Sequence, residues 1–192
     1  DSTALALHMP AWFAEPAVPL DRLGLKARWK LDPGKQLLVE VEHLDFAQGA
    51  LSGSLSGRHS LPLLPDGGRA GPGTADITAT LDGFEIGSVG RYLPLATPEH
   101  LAHWLGTALQ GGTLRDARLR LRGDLANFPF RAGSGVNALL EHARGEFHVA
   151  GRLENARLEY APGHRHPDGT PQWPLAENIK GRIEFDRARM EI

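Results

Sequence analysis

His100 and His103 stand three residues apart, with Glu99 beside them, and they are the nearest thing in this chain to a metal-binding pair. Imidazoles at that spacing share one face of a helix, and two of them with a carboxylate could begin a zinc site. Both project away from the apolar stripe of Leu101, Trp104, Leu105, Ala108 and Leu109, so a wet helix face is the favoured reading. No metal and no other cofactor is expected. His164 and His166 fall in a stretch rich in Pro and Gly and are read as surface residues. The other chemistries leave less trace. Gly53-Ser54-Leu55-Ser56-Gly57 has the glycines of a nucleophile elbow but Leu where the nucleophile belongs. The glycines of 67–73 lack the strand-then-helix setting of a nucleotide loop. With no cysteine there is no thiol nucleophile, no thiolate metal site and no disulfide. The 23 acidic residues supply carboxylates, but none is marked out by context. The chain is expected not to be an enzyme; a hydrolase with an unmarked carboxylate pair is the least favoured alternative.

Charge narrows the partners. With 21 basic and 23 acidic residues the net charge is −2, which gives no nucleic-acid surface. Arg118, Arg120 and Arg122 form a basic ladder at strand spacing. It is read as a solvated face with cross-strand acidic partners, with contact to anionic lipid head groups as the sharper alternative. Trp12 and Phe13 are open to the same two readings.

The elements that would position such groups are mostly strands. Ala75, Ile77, Ala79 and Leu81 alternate with Thr74, Asp76, Thr78, Thr80 and Asp82. Ala117, Leu119, Leu121 and Leu125 alternate with Arg118, Arg120, Arg122 and Asp124, and Phe147, Val149 and Leu153 with Glu146, His148 and Arg152. Strict alternation means one dry and one wet face, the pattern of an antiparallel sheet. The alternation changes phase in three places: after Val41, where Leu44 and Phe46 follow; after Leu153, where Leu158 and Tyr160 follow; and after Phe185, where Ala188, Met190 and Ile192 follow. Each change requires a bulge or a tight turn, because a one-residue slip would otherwise turn the dry face outward. One helix is expected near 98–110, started by Thr97 and Pro98 and ended by Gly111-Gly112; a second, short one over 136–144 is weaker. Residues 65–73 and 161–172 are read as loops, open to disorder. Asp116-Ala117-Arg118-Leu119 resembles Asn155-Ala156-Arg157-Leu158 and Arg187-Ala188-Arg189-Met190, with the alanines 39 and 32 residues apart, which suits a hairpin-sized repeat. The fold class is therefore mainly β: a curved antiparallel sheet, groove-like or sandwich-like, of repeated hairpins with one or two short helices. Residues 1–90 and 91–192 are possible sub-units.

No apolar run approaches the ~20 residues of a membrane-spanning helix, and no signal peptide is visible. The chain opens at Asp1 without Met and closes in an apparent strand, so it is read as an internal piece of a longer protein.

A family resemblance runs through most of the chain. Arg91-Tyr92-Leu93-Pro94, the helix with Trp104-Leu105 and Ala108-Leu109, and Gly111-Gly112 are followed by Leu121-Arg122-Gly123-Asp124-Leu125 and Asn127-Phe128-Pro129-Phe130. Gly145-Glu146-Phe147-His148-Val149, Leu158-Glu159-Tyr160-Ala161-Pro162 and Trp173-Pro174 come next, with Pro19-Leu20-Asp21-Arg22-Leu23 and Gly71-Pro72-Gly73 upstream. In order and spacing this set resembles the YhdP-type, AsmA-like family. The stretches between Phe130 and Gly145 and between Pro162 and Trp173 are longer than the pattern needs and are read as surface insertions. The resemblance implies a periplasmic protein anchored in the inner membrane by a helix outside this chain, related to bridge-like lipid transporters. It implies phospholipid as the partner, moved between inner and outer membranes along an apolar β groove, with consequences for outer-membrane permeability; other envelope proteins are possible partners. The candidate groove face is Leu119, Leu121, Leu125, Phe128, Phe130, Phe147, Val149, Leu158, Tyr160, Ile183 and Phe185. A lipid site needs no polar motif: burying about fifteen methylenes yields on the order of 12 kcal/mol gross. The alternative is a structural or partner-binding β module without bound lipid.

Overall fold

The computed structural model describes residues 2–8, 17–93, 95, 97, 99–128, 130, 145–187 and 189–191. The expected short helix over 136–144, Trp12 and Phe13 lie outside them. The rest is mainly β, as the alternation requires. Strands β1 (Ser2–His8), β2 (Ala17–Asp32), β3 (Gln36–Gln48), β4 (Leu51–Pro62), β5 (Thr74–Asp82), β7 (Leu109–Asp124), β8 (Gly145–Leu158), β9 (Ala176–Asp186) and β10 (Arg189–Glu191) lie side by side in that order. Every pairing is antiparallel, and the short β6 (Phe84–Glu85) adds to β7 alongside β5. The sheet is not closed. Pro33 and Gly34 occupy the centre of the β2–β3 turn, where Lys35 N–H donates to the Asp32 carbonyl at 3.0 Å.

Two of the three expected phase changes are bulges. β3 carries an extra residue against both neighbours around Glu42–His43, so Val41 and Leu44 return to the same face. β8 slips against β9 between Leu153 and Ala156 and against β7 between Glu154 and Arg157. The third falls between β9 and β10, where Met190 stands opposite Phe185; Ala188 and Ile192, the other residues of that phase change, lie outside the described residues. The faint repeat has a backbone cause. Its first residues, Asp116, Asn155 and Arg187, all have left-handed backbones, with φ of 48°, 51° and 54°. Asp and Asn tolerate that region better than most residues. In β7 and β8 the residue after each bulge is the repeat's alanine, and Ala117 and Ala156 are buried at 5% and 2% exposure. In β7 and β8 the repeat is thus a bulge that resets the dry face and sets a small side chain where strands crowd.

The helix differs from expectation at its end. α1 spans Glu99–Ala108, and Leu109 already belongs to β7, opposite Leu158. Gly111-Gly112 therefore lies inside a strand and terminates no helix. Gly112 has φ +108°, and a Cβ there would collide with the Ala156 backbone. Cross-strand pairing overrode the helical spacing of Leu109, and the glycines serve close approach between strands. His100 and His103 are exposed, as read, whereas Trp104 and Leu105 are only half-buried. Both loops read as open to disorder are hydrogen-bonded turns. Leu64 N–H donates to Gly68 O at 2.8 Å in the first, and His166 N–H to Thr170 O at 2.8 Å in the second.

Candidate functional site: an uncovered apolar face

The register places one apolar residue from each strand in line across the sheet. Leu25, Leu44, Leu55, Ala79, Leu119, Val149 and Phe185 are successive cross-strand partners from β2 to β9. A parallel row runs Ala27, Val41, Gly57, Ile77, Leu121 and Phe147. A third runs Leu23, Phe46, Gly53, Leu81 and Ala117, which abuts Gly151 opposite Ile183. From β2 to β9 there are six steps of about 4.8 Å, so the first row extends roughly 29 Å, close to the thickness of a bilayer's hydrocarbon core.

This face has no second layer over most of its extent. Among the described residues no large side chain is fully buried. Leu25, Trp29 and Leu31 keep 56%, 76% and 56% of their surface exposed. A sandwich would bury them under a facing sheet. Two local covers exist. At one end of the strands Ile86, Leu153 and Ala156 form a small core with Phe84, Leu109, Leu114, Ile179 and Ile183, closed by the 3-10 turn Ile86–Tyr92. α1 packs on that turn, and Trp104 Nε1 donates to the Tyr160 carbonyl at 3.0 Å. At the other end Phe130 is buried against Gly145, while Phe128 meets Phe130 and Phe147 edge to face at centroid distances of 6.0 and 5.0 Å.

The candidate residues distribute accordingly. Leu119, Leu121, Phe147, Val149, Ile183 and Phe185 share the face and are half-buried, and Leu158 joins it beside Leu109 at the capped end. Leu125 sits in a 3-10 turn, half-buried, its N–H donating to Gly73 O at 2.9 Å. Phe128 and Phe130 belong to the aromatic cover. Tyr160 falls past the end of β8, 60% exposed, its ring 5.6 Å from that of Trp173. It does not continue the phase of Leu158; the buried neighbour is Glu159, whose carboxylate accepts from Gln110 Nε2 at 2.6 Å. The equal contribution of β2–β5 (Leu23, Leu25, Leu44, Phe46, Leu55, Ile77, Ala79) was missed as a site, although the phase change after Val41 and the alternation of 74–82 both signalled it.

The opposite face is a ladder of charge. Arg28, Glu40, Arg58, Asp76, Arg122 and Glu146 are successive cross-strand partners with alternating sign. Arg28 holds Glu40 at 2.9 Å and Lys26 holds Glu42 at 2.6 Å. Within the arginine ladder it is Arg120 that reaches acidic partners, Asp76 at 2.6 Å and Glu146 at 3.6 Å. The hydrogen bond from Arg120 holds the Asp76 carboxyl below its ordinary value. Asp82 is lowered first by the Asp116 backbone N–H and then by Arg115. Such ties hold the wet side out and leave the dry side no choice of orientation.

Among the described residues no group of His, Asp and Glu is arranged to hold a metal, and no helix is long and apolar enough to cross a membrane. No curated protein and no solved structure matches the chain. A family model described as YhdP protein matches residues 1–192. The chain with this one-faced sheet belongs to the YhdP family.

Proposed function

We propose that this chain is a stretch of lipid-conducting wall, without catalysis, in a periplasmic protein that carries phospholipid between the inner and outer membranes. Membership of the YhdP family marks an AsmA-like envelope protein. The observation that carries the finer reading is the unbroken row Leu25–Leu44–Leu55–Ala79–Leu119–Val149–Phe185, apolar at every strand and uncovered along much of its length. Water-exposed apolar surface of this extent marks a surface that something else covers. Acyl chains fit it because burial in such a strip is favourable without hydrogen bonds. Lipid extracted from the purified protein and identified by mass spectrometry tests the reading. Phospholipid should co-purify with the native chain and be depleted in Leu121→Asp, which sets a carboxylate in the strip while leaving it solvated. Lipid-free native protein, or equal lipid in both, contradicts the reading.

A second reading, a structural or partner-binding module, draws on the two local covers. Phe130 over Gly145 and the Ile86–Leu153–Ala156 core show the chain closing part of this face itself. Under that reading Leu121→Asp unfolds the protein, because the carboxylate would be buried unpaired.

A further inference from the structure

The charged face breaks its own rule in one place. In the row from Arg28 to Glu146, direct cross-strand partners alternate in sign. In the row Arg115–Arg152–Arg182 three arginines are consecutive partners. Like charges directly opposite one another destabilise a sheet, so this row needs anions. Carboxylates meet part of the need: Arg115 contacts Asp82 at 3.2 Å and Glu154 at 3.4 Å, Arg152 contacts Asp116, and Arg182 contacts Glu184 at 3.2 Å. Arg118 and Lys180, both exposed on the same side, have no ion pair among the described residues. The row also borders a depression of about 680 Å³, lined by Arg118, Arg152, Lys180 and Arg182 against Asp116 and Glu154. Its floor is Ala150 and Gly151, the small residues of β8 between the bulges at Asp116 and Asn155. An anion resting there would meet backbone and methyl below and cations around.

We infer that this depression on the polar face binds a phosphate group, as a free ion or as a phosphomonoester head group. The groove proposed above lies on the other side of the sheet, so this site stands or falls independently of it. Guanidinium groups suit phosphate because they donate in a planar fork that matches two oxygens. The existing carboxylates tie Arg152 and Arg182 sideways along the sheet, and Arg118 and Lys180 supply the uncompensated charge.

The test is a titration of the full chain followed by amide NMR, with inorganic phosphate in one arm and vesicles of phosphatidylcholine with or without phosphatidic acid in the other. Saturable shifts are expected at Ala150, Gly151 and residues 180–182. The double change Arg118→Ala/Lys180→Ala should weaken the response about tenfold or more, since each charged hydrogen bond lost costs on that order. The control Lys26→Ala/Arg28→Ala, at the far end of the same face, should leave it unchanged. Added sodium chloride should weaken it through screening. A response to phosphate alone identifies a free-ion site, and a response to phosphatidic acid vesicles identifies a head-group site. Absence of saturation in both arms, or equal loss in the control, overturns the inference.

Discussion

The β2–β4 half and the β7–β9 half of the sheet have the same alternation and opposite treatment of their dry side. In the first, Leu25, Trp29 and Leu31 are left more than half exposed. In the second, the chain lays Phe130, a 3-10 turn and a small core over parts of the same face. Alternation therefore specifies that a face is dry, and leaves open what dries it. The covering comes from segments between strands: Ile86–Tyr92 and the turn after β7 lie beside the second half, while the first is reached only at its strand ends, where Tyr92 Oη donates to Gln48 Oε1 at 3.2 Å, among the described residues.

The comparison is sharpest for truncations. Phe130→Ala, with its ring buried at 3% exposure against Gly145, should cost ~3–5 kcal/mol in denaturant unfolding. Leu153→Ala in the capped core should cost ~2–4 kcal/mol. Trp104→Ala should cost less than a buried indole would, about 1–2 kcal/mol, because the ring is half-buried and contributes one hydrogen bond. Leu25→Ala and Trp29→Ala should each stay within about 0.5 kcal/mol. Equal costs in the two halves would mean that the β2–β4 face is covered after all.

Acid should act on the wet side and spare this difference. Asp76 and Asp82 are held below the ordinary value of 3.8 by Arg120 and by the Asp116 N–H with Arg115. Their contribution to stability is full above that value and is lost as pH falls through the lower folded values. Stability should hold on acidification to about pH 4 and decline below it. In Asp76→Asn and Asp82→Asn that decline should be shallower, from a lower starting level. A decline unchanged in slope would show that these ties do not hold the face.

Much of this was legible in the residues, and the failures have physical causes. The one-faced strands, the slip after Val41 and the slip after Leu153 follow from side-chain period alone. The left-handed Asp116 and Asn155 explain why the short repeat recurs, but a match so short does not announce a bulge. Leu109 fits a helical stripe as well as a strand, and only its partner Leu158 decides between them. Gly111-Gly112 looks like a helix stop because nothing local shows Ala156 pressing against it. Tyr160 continues a period-2 count past the point where β8 ends. The rows across the sheet could not be read, since register is a relation between strands; the period marked Leu44 as dry, but only the register joins it to Leu25 and Leu55 in one strip with Leu119.

Under the proposed function, one face of this sheet meets lipid along the row from Leu25 to Phe185. Photo-crosslinking groups at Leu25 and Leu119 on the dry face, and at Arg28 and Arg120 on the wet face, test it in cells producing the full-length protein. Phospholipid adducts are expected at Leu25 and Leu119 and none at Arg28 and Arg120. Equal labelling of both faces, or a folded protein with no adduct at either leucine, would contradict it.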